Sequence, residues 1–285
     1  MGDDALNMLL SFVLLGSLYV PLERSFRARR QGHLRPGIAL DLAYFVLQFM
    51  FMLGLFFALH HWMAGALRGP AWVTVTVSEL PLPVQAILVI VTGDLALYWG
   101  HRLSHRVPLL WRFHGVHHTS THLDWIAAYR EHPLDGIYSQ LLFIGPAAFM
   151  GVLPLTIMPL LVFRGLWAVL VHCNVRLPLG PLGLFLGDPV LHRWHHANRE
   201  TEHNFANLAP YLDLLFGTHY RPDEEDYLLG ADGLPKTFLS QLIPGVSYVE
   251  APLRKLLRRP PPAPELPDSG EVMADAQPSA AYGLG

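Results

Sequence analysis

Between residues 42 and 59 the chain runs LAYFVLQFMFMLGLFFAL, 18 residues without a charged side chain. A helix needs roughly 20 predominantly apolar residues to cross the hydrocarbon of a bilayer, so a run of this length narrows the fold before any motif is read. Residues 5–22 carry no charge either, and residues 84–99 hold only Asp94. Residues 137–171 are apolar for 35 residues, interrupted by Pro146, Pro154, Pro159 and one charge, Arg164. That stretch is too long for one helix. Pro154 lacks a backbone donor and blocks helix continuation, so the hairpin is expected there. Composition agrees, with 52% hydrophobic and 15% charged residues against roughly 25% charged in ordinary soluble domains. Mean hydropathy is +0.30. A signal peptide competes for residues 5–22, but Asp3 and Asp4 make the preceding region acidic where such a peptide is basic, and a retained helix is preferred. The expectation is an all-α integral membrane helical bundle of about four to five membrane segments, one pair of them a Pro-broken hairpin.

Arginines orient the bundle. Residues 23–35 hold five of them, residues 60–83 only Arg68, and residues 101–135 four. Positive charge stays on the cytoplasmic side, which puts the N-terminus outside and residues 101–135 inside. Residues 60–83, with Trp62 and Trp72, suit the membrane interface. The expected organisation is an N-terminal helix and arginine loop over 1–35, a membrane domain over 36–257 and a disordered proline-rich tail over 258–285. The expected location is the bacterial cytoplasmic membrane. A net charge of −3 without a long basic run argues against nucleic acid as a partner. The single cysteine, Cys173, excludes an intrachain disulfide, a Cys-ligated zinc ribbon and an iron–sulfur cluster held by this chain alone.

The chemistry lies in the histidines, of which there are 16. HRLSH contributes His101 and His105; HGVHH contributes His114, His117 and His118; HRWHH contributes His192, His195 and His196. At this histidine content an HxxHH is expected by chance about 0.05 times in the chain, so two of them are not an accident. Asp94, Tyr98, His101 and His105 are spaced by 4, 3 and 4 residues, which places them within roughly 60° of arc on one helix face. The two imidazoles then emerge from the membrane one turn apart. Asp94 is the first candidate to accept from a ligand's second ring nitrogen, and a charge that deep must find a partner. Pro108 breaks the helix so that the second cluster can fold back onto the first. Each HxxHH can give two rings to one ion and one to another. Eight or nine imidazoles exceed what a mononuclear zinc site uses and suit two ions. Imidazole accepts Zn, Cu, Fe and Ni, and zinc outranks ferrous iron in affinity, so purification can exchange the metal. His33, His60, His61 and His219 read as loop or interfacial residues, and His122 and His203 as neighbours of the clusters.

These clusters resemble the three histidine boxes of the fatty acid hydroxylase/sterol desaturase superfamily. YREHPLD at 129–135 resembles the R-x-HP element after the second box, HCNVRLP at 172–178 the H-x-N element before the third, and NFANLAPYLDLLFGTHYRP at 204–222 the closing run. The likeness covers about residues 35–222. It implies a membrane oxygenase with a non-haem di-iron centre, in which O2 hydroxylates or desaturates a lipid C–H bond. It implies His101, His105, His114, His117, His118, His192, His195 and His196 as ligands, with His172 as a ninth. It leaves Asp94, Tyr98, Arg130, His132, Asn174, Asn204 and Asp213 as second-layer or substrate residues. Two departures stand out. Some fatty acid hydroxylases show a histidine where this chain has Ala168, and the TD-x-N element becomes Thr201-Glu202-His203-Asn204. No nucleotide-binding motif is present, so electrons are expected from an external ferredoxin or cytochrome-b type donor with its reductase. Arg102, Arg106, Arg112 and Arg193 on the histidine side are candidates to steer an acidic one. Other classes open at this point are a histidine-rich metal transporter and a zinc-dependent lipid hydrolase.

Overall fold

Proline sets the starts of the helices that carry the histidines. Helix α5 (Leu82–Arg106) stops at Val107, whose backbone is extended, as the residue before a proline prefers. Pro108 then opens α6 (Pro108–His118) with its φ already helical and no donor to lose. The same device opens α7 (Pro133–Phe149), where His132 Nδ1 caps Leu134 N at 3.0 Å. It also opens α10 (Pro189–His195), where Asp188 Oδ1 accepts from Val190 N at 2.7 Å. Proline at the first turn thus fixes where α6, α7 and α10 begin.

The computed structural model describes residues 2–32, 34–152, 158–198, 202–222 and 227–243, which lie within one compact unit, Met1–Val246. Pro154 and the 258–285 tail lie outside the described residues. Among those described the architecture is all helical, with two isolated β-bridges, Arg27 to Val175 and Ala197 to Leu229. In chain order, α1 (Gly2–Ser25) leads to α2 (Ile38–Leu47), which passes through a π-helical turn at Gln48–Met52 into α3 (Leu53–Ala66). The 42–59 run is therefore not one uninterrupted α-helix: the extra residue of a π-turn re-phases it midway. Next come α4 (Ala71–Glu79), α5, α6 and α7, then α8 (Met158–His172), α9 (Gly183–Leu186), α10, α11 (Tyr211–Leu215) and α12 (Phe238–Leu242).

Among the described residues, two helices are long and apolar enough to cross a membrane, Ala5–Ser25 and Leu82–Arg106. Their apolar faces are mostly open. Leu14 is 67% exposed, and Ile87 and Val91 are exposed on α5, a pattern that water would penalise and lipid would not. The 137–171 stretch forms two helices of 17 and 15 residues, each short for a crossing.

Glycine sets the spacing between α5 and α7. A Cβ at Gly93 would sit 2.5 Å from Phe143 Cδ2, and one at Gly100 would sit 2.0 Å from Leu142 Cδ1. The two glycines are seven residues apart, two turns along one face, so α7 side chains fill the notches they leave. Around this seam Met63, Val89, Phe143, Ile144 and Ala147 form one apolar core, while Leu15, Tyr19, Phe45, Trp125 and Cys173 form a second between α1, α2 and α8. Burying each large apolar side chain contributes about 1.5–3 kcal/mol. A buried ionic chain fastens the N-terminal arm to the loop after α6. Arg35 pairs with Asp124 (2.5 Å) and Asp41 (2.8 Å), and Arg130 pairs with Asp41 (2.5 Å).

Candidate metal centre

Helix α5 delivers His101 and His105, α6 delivers His114, His117 and His118, the end of α8 delivers His172, and α10 with its C-cap delivers His192, His195 and His196. All nine histidines singled out from the sequence meet. They form two groups. His101, His105, His114, His118 and His195 make one; His117, His172, His192 and His196 make the other. Within each group the ring nitrogens lie within 4.8 Å of one another. Each HxxHH is split between the groups. Two rings of α6 join one ring of α10 in the first, and the reverse holds in the second. The helical arc of an HxxHH, about 100° for three rings, makes this division possible.

Backbone carbonyls fix the tautomers. A carbonyl has only lone pairs, so a ring nitrogen beside one must donate. His101 Nδ1 donates to Phe205 O (2.6 Å), His117 Nδ1 to Arg130 O (3.0 Å), His172 Nδ1 to Ala168 O (2.7 Å) and His195 Nδ1 to His203 O (2.8 Å). His114 Nδ1 donates to Asp135 Oδ2 at 2.9 Å. Each neutral ring is then left with its lone pair on Nε2. Yet His101 Nε2 and His114 Nε2 are 3.0 Å apart, and His117 Nε2 and His172 Nε2 are 2.9 Å apart. These are lone pairs facing lone pairs, so they cannot be hydrogen bonds between neutral rings. Protonation would relieve the second pair, but burial, followed by the neighbouring rings, holds His117 well below the ordinary histidine range, as it does His118, His192 and His196. His195 behaves alike, with burial first among the causes.

A cation between the rings resolves the conflict. The donor set fits transition-metal ions: nine imidazole rings and, among the described residues, no carboxylate or thiolate in either group. His105 Nε2 is buried without a hydrogen-bond partner among the described residues. That state costs about 1–3 kcal/mol unless something binds the nitrogen.

The remaining sequence candidates separate into those that support the centre and those that do not. Asp94 does not reach a histidine; it pairs with Arg164, bonded by both guanidinium NH2 groups. The two isolated charges in apolar segments satisfy each other, which is why the aspartate is spared for no ring. Tyr98 OH meets Thr218 Oγ1 at 2.7 Å, and Arg102 reaches it at 3.2 Å. Arg130 acts through its own carbonyl on His117, while its side chain is spent on Asp41, Gly37 O and Thr119. His132 is no candidate ligand, because it caps α7 and meets Leu242 O. Asn174 does not touch the centre either; it ties Arg29 to Arg193. Arg193 is consequently buried, on Asn174 and Cys173 O, and is not available to a docking partner. Asn204 holds a left-handed backbone (φ 55°) and bonds Leu191 O and Tyr220. Asp213 accepts from Phe205 N, Ala206 N and Thr218. It thereby sets the carbonyl that orients His101, and burial pushes its carboxyl up to about 6. Two contributors were missed from sequence. Asp135 stands in the YREHPLD element without a role assigned, and the pairing of Arg164 with Asp94 could have been read from their being lone charges.

A cavity of about 220 Å³ opens beside both groups, touching His101, His114, His117, His172 and His192. Residues 86–218, which hold all nine rings, match the family model "Fatty acid hydroxylase". The chain carries a fatty acid hydroxylase domain. The ornithine lipid hydroxylase OlsE of Rhizobium tropici is 36% identical over 58% of this chain and 51% of its own length. The alkylglycerol monooxygenase of Homo sapiens is 33% identical over 46% of this chain and 30% of its own. A Delta(7)-sterol 5(6)-desaturase of Aspergillus fumigatus is 27% identical over 57% of each. The match to this hydroxylase domain thus spans about half of the first relative and under a third of the second. No solved structure matches the chain.

Proposed function

We propose that the chain is a membrane-bound lipid hydroxylase whose nine histidines hold two iron ions, and that it inserts one atom of O2 into a lipid C–H bond. The observation that carries this reading is the pair of imidazole groups whose lone pairs converge and cannot satisfy one another. Relatives named as lipid hydroxylases and monooxygenases support it. The net reaction consumes R–H, O2, two electrons and two protons and gives R–OH and water. Bound iron supplies the power to activate O2 and attack an unactivated C–H bond. Everything else falls to the protein. The carbonyls of Phe205, Arg130, Ala168 and His203 and the carboxylate of Asp135 aim the rings. Such partners commonly change metal affinity 10–100-fold. Burial of the groups keeps water out of the site.

In this reading α1, the α2–α3 run, α5 and the α7–α8 pair are the four to five membrane segments, with the N-terminus outside and the histidines at the cytoplasmic mouth. Electrons come from an external ferredoxin or cytochrome-b type protein; Arg112 is exposed and Arg106, paired at the surface with Glu202, lies nearby for docking. The desaturase named among the relatives shares the outline of the reaction, with loss of a second hydrogen in place of hydroxyl insertion. The test is to supply 18O2 to cells making the protein and compare their lipids by mass spectrometry with cells making His195→Ala. One 18O in a lipid that the variant does not make is expected. A new double bond without 18O selects the desaturase, and identical lipids contradict both.

A further inference from the structure

A second cavity, of about 310 Å³, lies against Phe49, Leu55, Leu59, Ile137 and Leu161. Glu131 lines both this cavity and the histidine-side one, and among the described residues it is the one common to them. Helix α8 runs past both along a single stripe. Leu161 and Gly165 face the apolar cavity; Ala168, Val169 and His172 face the other. Steps of 4, 3, 1 and 3 residues keep that stripe on one helix face. The stripe is narrowest in side chain where the cavities approach, at Gly165 and Ala168. A Cβ at Gly165 meets nothing within 4 Å, so the space there is open. Opposite it, α7 divides its faces, with Tyr138, Ser139 and Leu142 towards the histidines and Ile137 and Gln140 towards the apolar side.

The two compartments differ in chemistry. The histidine-side one carries Ser104, Glu131, Asp135, Tyr138, Ser139 and Asn207 on its walls. The other is walled mainly by aliphatic and aromatic side chains, with Gln48 and Gln140 at its margin. Gln48 opens the π-turn and donates to Glu131 Oε2 at 3.2 Å, so the junction itself is polar. Burial, with Asp135 nearby second, pushes the Glu131 carboxyl up to about 8. The histidine-side cavity alone is smaller than the roughly 300 Å³ at which ligand sites begin, whereas the two together fall inside that range.

We infer that the two cavities are one substrate site, in which the polar end of a lipid sits beside the histidines and its hydrocarbon chain lies in the apolar compartment past Glu131 and Gly165. This rests on the lipid-hydroxylase reading and deepens it: the oxidised carbon is within a few bonds of the lipid's polar group, not in mid-chain. The apolar compartment takes a single acyl or alkyl chain.

Two photoreactive monoacylglycerols test this on the iron-loaded full chain in lipid nanodiscs. One carries a diazirine near the glycerol, the other near the chain terminus. Mapping of adducts by mass spectrometry is expected to place the first on Leu97, Tyr138 and Leu142 and the second on Phe49, Leu59 and Leu161. Gly165→Leu adds a side chain where a Cβ meets nothing within 4 Å, and it favours the helix. It should cut terminal-probe adducts in the apolar compartment at least tenfold while leaving iron content unchanged. A reversed pattern, or labelling spread over the exposed faces of α1 and α5 and indifferent to Gly165→Leu, overturns the inference. Loss of the hydroxylase reading would show separately, as no 18O in any cellular lipid with the labelling pattern intact.

Discussion

The two histidine groups are built from the same helices yet are not equivalent. The first has five rings, and three of them are aimed by partners beyond the group: His101 by Phe205 O, His195 by His203 O and His114 by the Asp135 carboxylate. The second has four rings. His117 and His172 are aimed by carbonyls, whereas Nδ1 of His192 and of His196 finds no acceptor among the described residues. A carboxylate partner raises the basicity of its imidazole, and a missing acceptor leaves ring orientation to packing. One group thus has a ring to spare and a charged anchor, and the other has neither. Shared helices do not impose shared affinity; what lies behind each ring decides it.

The largest expected effect comes from removing a ring where none is spare. His192→Ala should release one iron per chain and lower turnover by at least about 10³-fold, whereas His105→Ala should keep both irons in metal analysis, because four rings remain in its group. Equal metal loss in the two variants would break the asymmetry. Asp135→Asn should weaken iron in the five-ring group about 10–100-fold and leave the other unchanged, turning chelator release from two well-separated phases into two similar ones. Acid should sharpen the contrast further. Burial holds His117, His118, His192, His195 and His196 neutral in the fold, while the unfolded chain binds protons below pH about 6.5. Stability of the metal-free protein is therefore fully present above that pH and falls below it, by up to about 1.4 kcal/mol per pH unit for each such ring. Thermal unfolding that does not shift between pH 7.5 and 5.5 would contradict the neutral assignment. Further out, Arg35→Ala leaves Asp124 without its guanidinium partner and Asp41 with one fewer, and should cost about 3–5 kcal/mol in urea unfolding. Smallest of all, Arg106→Ala removes an exposed pair with Glu202 and should change stability by about 1 kcal/mol or less.

Eight of the rings were legible in the sequence because their signal is local: spacing of three and four residues places imidazoles on one side of a short helix; the ninth, His172, has no such neighbour and was reached only through the resemblance of HCNVRLP to the family's H-x-N element. Their division into five and four was not legible, since it depends on how α6 and α10 cross, which no spacing records. Asp94 shows the same limit from the other side. Its need for a partner was readable from its depth, but the partner came from Arg164, 70 residues away, in place of a histidine on its own helix. Asn174 and His132 stand near the boxes in sequence and are spent on Arg29 and on the start of α7. The orienting carbonyls of Phe205, His203 and Ala168 left no mark, because any residue type supplies one. Of the fold, the apolar runs predicted the helices, while the π-turn at Gln48–Met52 interrupts one of them without a composition that announces it.

The central claim is a two-ion centre of unequal halves. It is tested most directly by Mössbauer spectroscopy and metal analysis of protein made in 57Fe medium, before and after dithionite and O2. About two irons per chain are expected, in two distinguishable nitrogen-rich environments, both altered by O2 after reduction. A single iron per chain, or two bound zincs that iron reconstitution cannot replace, would contradict it.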